Sequence, residues 1–400
     1  MSNRLRSALA ALLLCLATPL AWAENAPGVT DSEIKIGQTQ PYSGPAAIFG
    51  AVGKAEAAYF KMINDLGGVN GRKILLISDD DGYDPAKTVD LTKKLVETDK
   101  VAAIFSIQGA KHNLAIRDYL NQHGIPQLFT VTGADVAGDY RHFPWTIGGT
   151  PLYRIEAQIY GRKLLIDMPT AKVALLYQND DFGKSYITGL KEVFHESFDQ
   201  HVVKVASYNE ADTTIEPQIK LLHDSGADVL IIAATARHAI QAIGGVYDLG
   251  WHPTTYITFT ASSVPTVLEP AGLAKAKGLI TATSYMNPAE ARWTDDGSLA
   301  PYNEFVKKYL AGDDPANFYY LTGYVLAQAM VQTLKQCGDD LSRVNIMRQA
   351  ANLKSFRPVG LLPGVSFFTS RTQYHPIVEA ALERFNGQKW ELFGDVMAGQ

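Results

Sequence analysis

Short apolar runs alternate with longer segments of helical spacing along most of this chain. Ile34-Lys35-Ile36-Gly37 reads as a strand that ends in a loop rich in Gly, Pro and Ser, from Pro41 to Gly50. Val52, Ala55, Tyr59, Met62 or Ile63 and Leu66 then recur three or four residues apart, one face of an amphipathic helix. Gly67-Gly68 stops it. Ile74 to Ile77 is an apolar run of strand length, and Pro85 opens a second helix carrying Val89, Leu95 and Val96. Further strands are expected at Val101 to Phe105, Pro126 to Phe129, Lys172 to Tyr177, Val202 to Ser207, Val229 to Ala233 and Tyr256 to Phe259.

Apolar strands alternating with helices predict an α/β chain with parallel sheets covered on both faces. The rhythm restarts near Lys172, after a Pro- and Gly-containing stretch from Phe143 to Pro151, which places a crossing between domains there. Tyr285-Met286-Asn287-Pro288 interrupts a strand-like run from Gly278 and reads as a return crossing. Helices near Pro301 to Leu310 and Phe318 to Cys337 would then complete the first domain. The expected division is residues 24–148 with 286–364 as one lobe and 149–285 with 365–400 as the other. A chain of 400 residues exceeds the ~250–300 at which a single core stops growing.

The first 23 residues are expected to lie outside the fold. Arg4 and Arg6, the apolar run from Ala8 to Leu20 and Ala21-Trp22-Ala23 form a secretory signal with cleavage after Ala23, so the protein is expected in the periplasm. Leu14 precedes Cys15, where a lipoprotein site requires a small residue, so no lipid anchor is expected. The mature chain keeps 34 basic against 41 acidic side chains, a net charge of -7, which argues against a nucleic-acid partner. Of the 2 cysteines only Cys337 remains, so no internal disulfide forms.

Motifs for chemistry are sparse. There is no phosphate-binding Gly-x-x-x-x-Gly-Lys-Ser/Thr, no Gly-x-Gly-x-x-Gly after a strand and no His-Glu-x-x-His, so neither cofactor nor metal is expected. Nothing nominates a base for Cys337, which reads as a semi-buried thiol at a helix end. Asp79-Asp80-Asp81 with Asp84-Pro85 reads as a strand-to-helix loop and N-cap rather than metal ligands. Asp181-Phe182-Gly183 lacks the Gly-rich and catalytic loops that would make it part of a kinase. What does gather are small and polar residues in the loops after strands, where open parallel sheets bind ligands. These loops hold Ser43-Gly44-Pro45 with Phe49, Gln108-Gly109-Ala110, Thr130 to Ala134, Asp181-Phe182-Gly183, Thr235-Ala236-Arg237 and Ala261-Ser262-Ser263. Hydroxyls and exposed N–H groups at helix starts favour an anion such as a carboxylate; each loop taken alone is equally well read as a helix cap.

The order of these features, with Gly67-Gly68-Val69-Asn70-Gly71-Arg72 and Asn179-Asp180-Asp181-Phe182-Gly183, resembles the leucine/isoleucine/valine-binding family of type I periplasmic binding proteins, from about Ile34 to Trp390-Glu391-Leu392. The resemblance implies two Rossmann-like lobes joined by three crossing segments, closing on a small-molecule ligand. It also implies a role as the substrate-binding subunit of an importer, with an inner-membrane ABC permease as partner, no enzymatic activity, and a monomer. The implied ligand-binding residues are Phe49, Gln108, Gly109, Thr130, Thr132, Gly133, Phe182, Thr235 and Ser262. Amino-acid binders of the family hold the ligand ammonium with an acid in the loop that here reads Thr260-Ala261-Ser262-Ser263, and no carboxylate stands there. Thr235 stands where the family often has Tyr, and the family's disulfide is missing. A ligand with a carboxylate or other polar head and an apolar or aromatic body is therefore expected. A branched-chain amino acid or amide binder, an exported α/β hydrolase and a sensor that docks on a membrane receptor are the alternatives. The Gly-x-Ser-x-Gly turn of common serine hydrolases is absent.

Overall fold

A computed structural model describes residues 25–354 and 356–399. The expected export signal lies outside the described residues. Two sheets organise the molecule. Strands β1 (Glu33–Gln40), β2 (Lys73–Asp80), β3 (Ala103–Phe105), β4 (Gln127–Thr130) and β5 (Thr146–Gly148) form a wholly parallel sheet in the order β2-β1-β3-β4-β5. The second sheet runs β12-β11-β10-β9-β8-β6-β7. Its parallel part is β6 (Val173–Gln178), β7 (Val202–Tyr208), β8 (Val229–Ala233), β9 (Thr254–Ile257) and β10 (Ile280–Thr283).

The parallel sheets are as expected, and β11 (Glu379–Phe385) and β12 (Trp390–Ala398) extend the second one antiparallel. The chain reaches β11 from the other lobe without a crossover helix and returns by a turn at 386–389, and a short hairpin pairs its strands antiparallel. Two local expectations shift. Asp79 and Asp80 belong to β2 itself, while Asp81 is buried and accepts hydrogen bonds from Thr39 Oγ1 (2.7 Å), Thr88 Oγ1 (2.9 Å) and the Tyr83 amide (2.9 Å). The strand expected to reach Phe259 stops at Ile257, where the chain turns.

Three segments cross between the sheets and bond to one another. The Gly148 amide donates to Tyr374 O at 3.0 Å, Met286 to Gly360 O at 2.8 Å and Leu362 to Ser284 O at 2.9 Å. Crossing back lets helix Phe318–Cys337 pack on helix Gly50–Asp65 of the first sheet. That approach needs glycine at 323, because a Cβ there would stand 2.3 Å from Val52 O and 2.9 Å from Ala55 Cβ. Asn317 caps the helix by accepting the Tyr319 N–H at 3.1 Å, and Gly338, in the left-handed region, ends it. Cys337 is buried at this end and its thiol is pushed up to about 12 by burial, which leaves it a protonated core group at neutral pH.

One buried carboxyl group ties the second lobe together. Glu156, in the first turn of helix Tyr153–Asp167, accepts the Phe259 N–H (2.9 Å), the Tyr186 hydroxyl (2.6 Å) and the Tyr160 hydroxyl. It thereby fixes the turn after β9 from behind. Burial pushes its carboxyl up to about 8, against the lowering effect of these donors. A carboxyl raised above its unfolded value of 4.5 favours the fold fully below that pH, and the contribution is lost as pH rises towards about 8. Urea unfolding of the protein and of Glu156→Gln from pH 5 to pH 8 should show an extra stability loss in the unmodified protein approaching ~1.4 kcal/mol per pH unit, absent from the variant. Identical pH dependence in both would contradict this role.

Candidate functional site

The strand order positions the site before any side chain is considered. In the first sheet the order reverses between β1 and β3, and in the second between β6 and β8. Ligands of open α/β sheets bind beyond the carboxyl ends of strands at such reversals. The first reversal is tied shut by Gln40 Nε2, which donates to Ser106 O at 2.5 Å. Phe49 follows β1, Gln108 and Gly109 follow β3, Phe182 follows β6 and Thr235 follows β8.

The loops after β3 and β4 continue the sheet beyond its regular strands. Gln108 pairs with Val131, the Gly109 amide donates to Val131 O at 3.0 Å and the Val131 amide to Ile107 O at 2.9 Å. This brings Gln108, Gly109, Thr130 and Thr132 onto one rim. Gly109 has φ +96°, and a Cβ there would lie 2.6 Å from His112 Nδ1 and 3.1 Å from the Tyr83 ring, so only glycine fits. The Gly133 carbonyl accepts the Tyr153 N–H at 2.9 Å, which docks the rim onto the first crossing segment. Thr130 Oγ1 and Gln108 Oε1 are buried and have no hydrogen-bond partner among the described residues. Unpaired buried acceptors of this kind are costly, and a ligand donor or water would relieve them.

A continuous row of rings links the two lobes. Phe182 meets Tyr153 edge-on with centroids 4.7 Å apart; Tyr153 lies 6.1 Å from Phe259, Phe259 6.5 Å from Tyr285, and Tyr285 5.2 Å from Phe318. Phe318 neighbours Tyr319 at 6.1 Å, and Tyr319 meets Phe49 edge-on at 5.1 Å. The Tyr319 hydroxyl also donates across the lobes to Thr260 O at 2.9 Å. Edge-on contacts at these spacings are favourable beyond simple burial.

Beside the row stands a polar cluster. Thr235 Oγ1 donates to Gln178 Oε1 (3.1 Å) and its amide to Tyr208 Oη (3.0 Å). Gln178 Nε2 donates to Asp180 (2.7 Å) and Glu210 (3.0 Å), and Glu210 pairs with Lys111 of the first lobe at 3.6 Å. Burial pushes both carboxyls up, Lys111 pulling them back, and burial together with these two acids raises the Tyr83 phenol. Asp180 is also the N-cap of helix Asp181–Phe194 through the Gly183 N–H at 3.1 Å.

Ser262 stands apart from this cluster. Its hydroxyl donates to Phe259 O at 2.8 Å and its carbonyl accepts the Trp390 indole N–H at 2.8 Å, so both polar groups are engaged within the second lobe. Tyr83, Lys111, Tyr153, Glu210, Phe259, Tyr285 and Tyr319 all escaped sequence reasoning. Two of them carried a signal, Tyr285 by its place in the expected return crossing and Phe259 at the end of an expected strand.

The sequence profile of the family described as periplasmic binding protein matches residues 33–388. "Leu/Ile/Val-binding protein homolog 7" of Brucella abortus is 24% identical over 356 residues, covering 86% of this chain and 87% of the relative. Among solved structures, a branched chain amino acid ABC transporter from Thermus thermophilus with bound valine superposes with a TM-score of 0.82 at 17% identity, over 93% of this chain and 98% of that one. A fatty acid ABC transporter substrate-binding protein from Thermomonospora curvata superposes with a TM-score of 0.76 at 20% identity, over 94% and 95%. Both share the fold of two α/β lobes on crossing segments. With the profile spanning both sheets, the chain belongs to the periplasmic binding protein family, type I.

Proposed function

We propose that this protein is the solute-binding subunit of an ABC importer, exported and cleaved after Ala23, which captures a small organic acid between its lobes and presents it to a membrane permease. The observation that carries the reading is the row of rings from Phe182 to Phe49 beside a rim bearing Gln108 and the start of helix Ala110–Gln122. The rings suit an apolar or aromatic body. First-turn N–H groups and Lys111 suit a carboxylate. The lobes are proposed to be residues 24–148 with 286–364 and 149–285 with 365–400, moving as units about the crossings. Phe49, Gln108, Gly109, Thr130, Thr132, Gly133, Phe182 and Thr235 would line the cleft, with Ser262 supporting the turn behind Phe259. The protein would act as a non-enzymatic monomer.

A second reading has a specific observation behind it. Asp180 and Glu210 bring two carboxylates to the cleft although the turn at 260–263 has none, and an ammonium could pair with them. A valine-bound and a fatty acid-binding relative sharing this fold keep both readings in play.

A thermal-shift screen of the mature protein should show aromatic or aliphatic acids raising the melting temperature with the logarithm of concentration, with leucine, isoleucine and valine weak. Phe182→Ala and Gln108→Ala should reduce the shift while the unliganded proteins still melt cooperatively. Tight binding of branched-chain amino acids, with no response to the acids, would favour the second reading. Calorimetric titration should also show Lys111→Ala weakening acid binding by about tenfold or more, since it removes a charge-assisted contact and the bridge to Glu210, and Glu210→Gln weakening it less. Unchanged affinity in Lys111→Ala would remove Lys111 from the site.

A further inference from the structure

The strongest unassigned feature lies at the opposite end of the first sheet. A cavity of about 790 Å3 opens beside Trp145, which immediately precedes the amino end of β5, and beneath helix Arg343–Ala350. Its walls include Trp145, Met347, Arg348, Lys354, Arg371 and Tyr374. The candidate cleft lies beyond the carboxyl ends of the same strands, so the two are separate.

Three cations line this cavity, Lys354 and Arg371 among them as exposed side chains, and no carboxylate lines it among the described residues. Among the described residues, Lys354 and Arg371 make no ion pair or hydrogen bond. Arg348 is steadied on a neutral partner, Asn345 Oδ1, through Nε (3.0 Å) and Nη2 (2.5 Å), which directs the guanidinium without neutralising it. In a chain with 41 acidic against 36 basic side chains, three cations around one concavity without an acid are a local inversion of charge. The cavity also has a firm apolar part. Met347 is buried, and the Tyr374 hydroxyl bonds Pro144 O at 3.2 Å, which holds that ring against the segment bearing Trp145. A second cavity of about 460 Å3 shares Gln349, Asn352 and Lys354 with the first, which adds amide donors along one edge.

We infer that this cavity is a second ligand site, for a small organic polyanion such as a di- or tricarboxylate. Its volume falls within the ~300–1,000 Å3 of small-molecule pockets. Two guanidinium groups and an ammonium supply planar and point-charge partners for several carboxylates, and binding relieves the repulsion among three like charges. The indole and phenol rings with Met347 accommodate the carbon framework, which distinguishes the site from one for a bare inorganic ion.

Calorimetric titration of the mature protein with citrate tests the inference. Citrate should bind at low ionic strength and weaken as salt is added. Arg348→Gln/Arg371→Gln should lose at least tenfold in citrate affinity while keeping the affinity for whichever acid binds the cleft. Phe182→Ala should do the reverse, losing the cleft ligand and keeping citrate. Failure of citrate to bind at millimolar concentration, full retention of binding in the double arginine variant, or loss of citrate binding in Phe182→Ala would each overturn the second site. The last outcome would assign citrate to the cleft instead.

Discussion

Everything at the candidate site depends on where two parallel sheets reverse their strand order. A parallel sheet cannot place its loops freely, because each strand must be followed by a crossover that returns to the same starting edge. The reversals between β1 and β3 and between β6 and β8 therefore leave two notches, each lined by loops that open helices. The three crossing segments join the two sheets. Their mutual hydrogen bonds, from Gly148 to Tyr374 and from Met286 to Gly360, make the junction a ribbon rather than a set of independent linkers.

Electrostatics within the cleft follows from burial. Asp180 and Glu210 are raised by desolvation and share Gln178 as donor, with Lys111 as their cation from the opposite lobe. The turn at 260–263 contributes no acid, and Glu156 behind it satisfies the Phe259 amide from the core side. The two acids of the polar cluster stand instead in the loops after β6 and β7. Phe259 itself neighbours the rings of Tyr153 and Tyr285.

Much of the fold was legible because its causes are local. Apolar runs of four to six residues between helical periods gave most parallel strands, and Asp84-Pro85 marked a helix start that the structure caps as expected. The antiparallel β11 and β12 were not legible, since pairing direction depends on where a crossing segment delivers the chain. The same limit applies to the site. The loops after strands announce themselves by Gly, Ser and Thr, so Gln108, Thr130 and Thr235 stand out. Tyr153 and Tyr285 lie at or just beyond crossings and Tyr319 in the first turn of helix Phe318–Cys337, and only tertiary packing brings their rings into one row. Lys111 looks like an ordinary first-turn lysine until Glu210 of the other lobe comes within 3.6 Å.

The central claim is that the lobes close on an organic acid held between the Gln108 rim and the ring row. A crystal structure of the mature protein grown with a tightly binding acid tests it most directly. The account predicts ligand density between Gln108 and Phe182, the carboxylate facing the start of helix Ala110–Gln122 and the body against Tyr153 and Phe49. Ligand bound elsewhere, or in the cleft with its carboxylate directed to Asp180 and Glu210, would contradict it.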